Sequence, residues 1–397
     1  MRLSQFAQRL KPSETLAIST RAKTLRAQGR DILDFGLGEP DFLTPPHIIR
    51  AAERAMAAGY TKYTPPSGLP ELRAAIAEKL KRENQLDYRP EQIIVSCGAK
   101  HALYNLAMVL VDPGDEVLIP GPCWVTYPAQ VAMAGGTPVI IPTRAEEDFK
   151  VSGALLRRYL TPRTKGLILN SPCNPTGTVY TPEELEDLAR VLLDTSLFVI
   201  SDEIYEHIIY DGLKQVSLAT LHPALKERCV VVNGFSKSYA MTGWRLGYCA
   251  GPQAVIEACG RLQSQTTSNP TAFAQVAAIE ALTGPQDSVR RMAEEFERRR
   301  NFVIPRLNAI DGLFCNLPRG AFYAFPRVEG LFGRRYQGKP LQNSTDVVAF
   351  LLDEAGVALV PGEGFGDSRH LRLSYAASMA ELEEGLRRIE QAIARLE

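Results

Sequence analysis

Short apolar runs alternate along the chain with longer stretches whose apolar residues recur at helical spacing. Runs at 92–95, 116–119, 137–141, 166–169, 197–200 and 230–232 end in Gly, Pro, Asn, Ser or Asp clusters. Near-continuous hydrophobicity of this kind marks strands buried on both faces. Between the runs, 46–58 places Ile48, Ile49, Ala52, Ala55 and Met56 on one helical face, and 69–83 continues as a helix. A capping box with proline in the first turn, Thr181-Pro-Glu-Glu184, opens another. Strand and helix therefore alternate from about 45 to 285, which predicts an α/β fold with a mainly parallel sheet covered on both sides.

Beyond that point the pattern changes. Residues 256–282 and 287–307 read as helices, and Arg298 to Arg300 is expected on a solvated helix face. Strands at 319–325, 357–360 and 370–376 and helices at 344–354 and from Ser378 onward form a final α+β portion. The last helix carries Leu382, Leu386, Ile389, Ile393 and Leu396 on one face.

At 397 residues the chain is long enough for two or three domain-sized units. With 45 basic and 45 acidic residues it has no charge footprint for nucleic acid or an anionic membrane, so the expected partners are small molecules or other protein subunits. Residues 1–11 are too polar for a signal peptide, and no apolar run reaches the ~18 residues of a membrane span. A cytoplasmic protein is expected. Seven scattered cysteines without a C-x-x-C pair read as reduced thiols, and five histidines without H-E-x-x-H spacing give no metal site.

Chemistry concentrates where the apolar runs end. The stretch NGFSKSYAMTGWRLGY at 233–248 reads as strand, loop, strand with Lys237 beyond the first strand. A lysine partly withdrawn from water there has a lowered pKa and can attack an aldehyde, and Arg245, eight positions on, offers a planar fork for phosphate. The run at 92–95 leads through Gly98-Ala99-Lys100 into a helix, whose free N–H groups make an anion site. Neither a Walker loop nor a G-x-G-x-x-G fingerprint occurs. Asp202, at the end of another run, needs a cation if it is buried. Arg372, between apolar neighbours in a strand, needs a carboxylate, from a ligand or from the chain itself.

The 233–248 pattern resembles the pyridoxal-phosphate attachment site of class I aminotransferases, with Gly234, Ser236, Lys237, Ala240, Met241, Gly243, Arg245 and Gly247 matching it. The stretch Asn170-Ser-Pro-Cys-Asn174-Pro-Thr-Gly177, D-E-x-Y at 202–205 and R-L-S-Y at 372–375 strengthen the resemblance, which runs from Lys11 to Tyr375. It implies fold type I: a large cofactor domain over 45–285 with a seven-stranded sheet, and a small domain from 1–44 and 286–397. It also implies a homodimer with shared active sites.

By the same resemblance, Lys237 carries pyridoxal 5'-phosphate as an imine and acts as general base and acid. Asp202 faces the pyridine nitrogen, Asn174 and Tyr205 the phenolate oxygen, and Trp124 stacks on the ring. Gly98, Ala99, Lys100, Ser236 and Arg245 surround the phosphate, joined by Tyr63 from the neighbouring subunit. Arg372 and the backbone near Gly38 clamp the substrate carboxylate. The implied reaction is ping-pong amino transfer from an L-amino acid to a 2-oxo acid such as 2-oxoglutarate. Lys11, Ser13, Thr15 and Lys100 are similar to those of bacterial aspartate aminotransferases, some of which use prephenate; by that resemblance Lys11 and Lys100 meet a second carboxylate, favouring aspartate and glutamate. Aromatic, branched-chain or alanine-type aminotransferases and a C–S β-lyase remain alternatives. A transcription regulator on this scaffold would need a basic winged-helix segment before Lys11.

Overall fold

The computed structural model describes residues 1–4, 8 and 14–397, with side chains of the first helix, Glu14–Ala27, described from residue 20. Lys11, Ser13 and the side chain of Thr15 thus lie outside the described residues. A seven-stranded sheet forms the centre. Its strands are β1 (Ile93–Ser96), β2 (Glu116–Gly121), β3 (Thr137–Pro142), β4 (Thr164–Asn170), β5 (Phe198–Asp202), β6 (Cys229–Gly234) and β7 (Gly247–Ala250). The spatial order is β1-β7-β6-β5-β4-β2-β3. Only β7 runs against the others, pairing antiparallel with β6 and β1.

The pleat divides each strand between two helical layers. Val231 joins a buried core with Leu72, Leu188 and Ala277, whereas Val230 and Val232 join another with Leu103, Ile256 and Cys259. Because both faces are covered, the strands lack a polar side, and the sequence shows unbroken apolar runs. Six strands point the same way, so β1, β2, β4, β5 and β6 deliver their following loops to one edge of the sheet. In such sheets that edge is where ligands bind.

A second apolar core gathers Phe35, Phe296, Val303, Phe322, Val347, Leu373 and Leu386, together with Tyr205 and Tyr210 from the segment after β5. Around it, Leu33–Asp34 pairs in parallel with Val357–Ala358, and Leu371–Ser374 lies between Val360–Pro361 and Tyr323–Ala324. The final helix, Met379–Ile393, has the expected capping box: Ser378 Oγ accepts from Glu381 N at 3.3 Å, and Ser378 N donates to Glu381 at 3.0 Å. Thr181 and Glu184 make the same pair.

Several sequence expectations are corrected. The stretch 256–282 is two helices, Gln253–Thr266 and Ala272–Thr283, because Ser268 adopts φ 59° and Pro270 blocks continuation. Only Tyr323–Ala324 of 319–325 pairs as a strand, and 344–354 is α-helical to Phe350 and then a π-turn over Leu351–Ala355. The arginine run is not a solvated face. Arg298 is exposed, but Arg299 and Arg300 are buried. Arg299 pairs with Asp41 at 2.7 Å and Glu295 at 2.9 Å, and Arg300 with Asp211 at 2.7 Å. A carboxylate from a distant segment meets each guanidinium, and charge counting along one helix cannot reveal that.

One further buried pair anchors the turn after β5. Lys79 contacts both Glu206 and Asn84, and Asn84 Nδ2 donates to Glu206 Oε2 at 2.7 Å. Removing the acid leaves the buried ammonium with only the longer contact to Glu83, at 3.6 Å. Glu206→Leu should therefore lower the unfolding free energy by about 3–5 kcal/mol, read as a reduced urea midpoint; an unchanged midpoint would refute this account of the pair.

Candidate active site

The loops at the shared sheet edge enclose a cavity of about 450 Å³. Gly38, Ala99, Lys100, Trp124, Asn174, Asp202, Tyr205, Ser236, Lys237, Arg245 and Arg372, all named from the sequence, line it. Gly98 caps the helix Ala99–Leu110 at its edge. Tyr63 does not line it: its side chain is 91% exposed on the loop after Tyr60. Sequence reasoning missed Lys23, Asn170, Tyr127, Thr242 and Tyr323, which line the cavity too.

Lys237 sits three residues past β6. Its half-buried ammonium donates to the carbonyl of Gly38 and lies 5.8 Å from the rings of Tyr205 and Phe322. Burial, and then the nearby Arg372 guanidinium, lower its pKa to about 8. No ion pair holds it among the described residues.

Asp202 is buried at the end of the neighbouring strand. Its Oδ2 accepts from the Tyr127 phenol at 2.6 Å and its Oδ1 from Ile204 N at 3.2 Å. Burial raises its pKa to about 6, against those two hydrogen bonds. Asn170, ending β4, donates to the Asp202 carbonyl at 2.9 Å and accepts from Asn174 N at 2.9 Å, so the two loops are tied together.

Arg372 is buried with no carboxylate partner among the described residues. Nη1 donates to Asn174 Oδ1 at 2.9 Å, Nη2 to the carbonyl of Gly36 at 2.8 Å, and Nε has no acceptor. The guanidinium is sandwiched between the rings of Tyr323 at 4.5 Å and Phe365 at 5.0 Å. With Oδ1 of Asn174 taken, its amide nitrogen is the end left for a ligand.

At the other end of the cavity, Gly98 has φ 90°, and a Cβ there would lie 2.5 Å from Arg245 Nη2. Only glycine lets the arginine approach the helix N-terminus, and together they form a cradle for an anion. Lys100 lies 4.7 Å over the Trp124 ring, its pKa lowered by burial and by Arg245. Five cationic side chains, Lys23, Lys100, Lys237, Arg245 and Arg372, line the cavity against Glu39 and Asp202. The surplus fits ligands with several negative charges.

The family model for aminotransferase class I and II matches residues 30–389. The chain belongs to this family. The aminotransferase is 50% identical over 394 residues to an aspartate aminotransferase of Geobacillus stearothermophilus, covering 98% of each chain. It is 48% identical over 392 residues to an aspartate/prephenate aminotransferase of Nitrosomonas europaea, covering 98% of this chain and 99% of that one. The crystal structure of an aspartate aminotransferase from Rhizobium meliloti superposes with a TM-score of 0.97 at 45% identity, over the full length of both.

The enzyme's cofactor is pyridoxal phosphate, and the residues present fit it. A half-buried amine of lowered pKa suits an aldehyde, the Gly98–Arg245 cradle a phosphate, and a buried carboxylate without a cation a protonated ring nitrogen. Among the described residues, no cluster of His, Cys, Asp and Glu could hold a metal ion.

The raised acid has a testable consequence in the cofactor-free enzyme. Between pH ~4 and ~6 folded Asp202 keeps a proton that the unfolded chain has lost, so its contribution to stability falls as pH rises through that window. Glu203, which burial raises to about 7, acts in the same direction. Asp202→Asn should shrink the loss of stability between pH 4 and 7, measured by urea unfolding at stepped pH, by roughly 3 kcal/mol. Equal slopes for variant and wild type would contradict the raised pKa.

Proposed function

We propose that Lys237, Asp202, Tyr205, Asn174, Arg245 and Arg372 are the working residues of an aminotransferase acting on dicarboxylic amino acids, most readily aspartate and glutamate, with 2-oxoglutarate as acceptor. The observation that carries this reading is Arg372, a buried guanidinium with no carboxylate of its own, within the same cavity as an amine of depressed pKa. Pyridoxal phosphate, when bound, supplies the aldehyde that takes up the amino group and the ring that accepts electron density from the substrate Cα.

The chain's own groups supply the rest. Gly98, Ala99, Ser236 and Arg245 would hold the phosphate, Asp202 the ring nitrogen, and Trp124 the ring face. Tyr127 and the Ile204 N–H orient the Asp202 carboxylate. Arg372 would bind the substrate α-carboxylate through a two-pronged contact and fix the Cα–H bond near Lys237. With its pKa lowered to about 8, Lys237 Nζ loses its proton far more readily than an ordinary lysine, so it can take the Cα proton and return it, with the Gly38 carbonyl holding its N–H.

Lys100 at the cavity rim is the described residue best suited to a second carboxylate, which supports dicarboxylic substrates; Lys11, Ser13 and Thr15 are proposed to join it. The aspartate and aspartate/prephenate names of the relatives support the same class. We infer a dimer in which Tyr63, exposed and outside its own cavity, reaches the neighbour's phosphate. Large and small domains are proposed to divide at 45 and 285. Seven free cysteines, five of them buried, and no helix among the described residues long and apolar enough to cross a membrane support a cytoplasmic location.

An amino-donor panel with 2-oxoglutarate and oxaloacetate tests the assignment. Aspartate and glutamate should exceed alanine and the branched-chain amino acids. Release of pyruvate and ammonia without an acceptor would point to a β-lyase instead. Lys237→Ala should abolish turnover and the borohydride-trappable chromophore; retention of both would sink the assignment. Arg372→Ala should cost roughly 3–4 kcal/mol of transition-state binding, on the order of 10²–10³-fold in kcat/KM. Sedimentation velocity should report a dimer, and a fully active monomer would remove the role given to Tyr63.

A further inference from the structure

Tyr323 has no part in the roles above, yet it touches two of the groups that have. It belongs to the strand Tyr323–Ala324, in register with Ser374, which puts its side chain beside that of Arg372 on the neighbouring strand. Its ring lies under the Arg372 guanidinium at 4.5 Å, and its hydroxyl is 2.9 Å from the Tyr205 hydroxyl. A Cβ on Gly38 would stand 3.0 Å from the same hydroxyl, so the backbone that accepts from Lys237 closes over the pair. Both tyrosines are buried, and no other side-chain partner of either hydroxyl occurs among the described residues.

Two phenols in contact share one hydrogen bond, and one of them must donate. A cation over an aromatic face stabilises negative charge on that ring, which makes its O–H the better donor. The closer cation, Arg372 at 4.5 Å, lies over Tyr323, whereas the Lys237 ammonium stands 5.8 Å from the Tyr205 ring. The charged groups around the pair, Arg372, Asp202 and Lys237, leave this asymmetry in place, since Arg372 is the one that stacks on Tyr323. Tyr205 then accepts, and its single proton is free to point into the cavity.

We propose that Tyr323 is a positioning residue with two separable functions: its hydroxyl directs the Tyr205 proton toward the bound cofactor's oxygen, and its ring holds Arg372 for the substrate carboxylate. The proposal rests on the roles given above to Tyr205 and Arg372. The two functions reside in different atoms, so two substitutions divide them. Tyr323→Phe removes only the hydroxyl. Tyr323→Leu removes the ring as well.

The test uses the cofactor-loaded enzyme and two readouts other than turnover. The first is the spectroscopic pKa of the bound chromophore; the second is the affinity for maleate, an unreactive dicarboxylate. A weaker donation from Tyr205 leaves more charge on the chromophore's oxygen and favours protonation beside it. Tyr323→Phe should therefore raise the spectroscopic pKa by about half a unit to one unit, the size of one neutral hydrogen bond. Its maleate affinity should stay within about twofold, whereas Tyr323→Leu should bind maleate about 3- to 30-fold more weakly. In a Tyr205→Phe background, Tyr323→Phe should produce no additional pKa shift. An unshifted pKa in Tyr323→Phe, or the same shift with and without Tyr205, overturns the proposal. A borohydride-trappable chromophore that survives Lys237→Ala instead overturns the assignment of the site, and the two failures cannot be confused.

Discussion

Two ionisable groups withdrawn from water at the ends of neighbouring parallel strands govern this structure's chemistry. Asp202 ends β5, and Lys237 follows β6 by three residues. Neither is neutralised by a side chain of opposite charge: the carboxylate meets a phenol and an N–H, and the amine meets a carbonyl. Burial therefore pushes the two pKa values toward one another, to about 6 and about 8. A fold selected for stability alone would pair or remove such groups. Keeping them apart is useful only if a ligand completes both, and a molecule carrying an aldehyde and a basic ring nitrogen does so.

The buried arginines show how structural and binding roles separate. Arg299 and Arg300 each reach a carboxylate from a remote segment. Arg372 reaches only amide oxygens, and its Nε reaches nothing. The first two complete an ion pair within the fold; the third leaves one open. The paired arginines still serve the site, because Arg299 holds Asp41, in the turn that also carries Gly36 and Gly38. That turn supplies the acceptors for both Arg372 and Lys237. A charge run that reads as solvent-facing thus helps fix the cavity wall.

Most of the fold and much of the cavity were legible in the sequence for one physical reason. Strands covered on both faces must be continuously apolar, so their ends are sharp, and polar residues placed there stand out against the background. Asp202 lies at such an end, and Asn174 and Lys237 just beyond theirs. Tyr127 and Tyr323 do not stand out, since a tyrosine in an apolar stretch reads as core, and burial is indeed what they show. Their function depends on where each hydroxyl ends, against Asp202, 75 residues away, and against Tyr205, 118 residues away. The arginine run failed for a related reason: its partners Asp41 and Asp211 lie 258 and 89 residues distant. Tyr63 is placed only on an exposed loop, since no described residue of this chain covers it.

The cavity is shared between two hydrophobic cores, and this decides how its parts depend on one another. Trp124 packs against the core on one face of the main sheet, with Leu103 and Val232, whereas Tyr205 and Tyr323 belong to the second core. Arg372 spans the gap: its strand lies with the second core, while one of its donors reaches Asn174 in the loop after β4. A ligand carboxylate that engages the free Nε edge meets a group already fixed by both sides. Little side-chain freedom remains to be lost, so more of the contact's free energy is available for orienting the substrate. The same arrangement makes carboxylate binding sensitive to the packing of Tyr323 and Phe365, which never bond the ligand's charge but set the plane in which the guanidinium meets it.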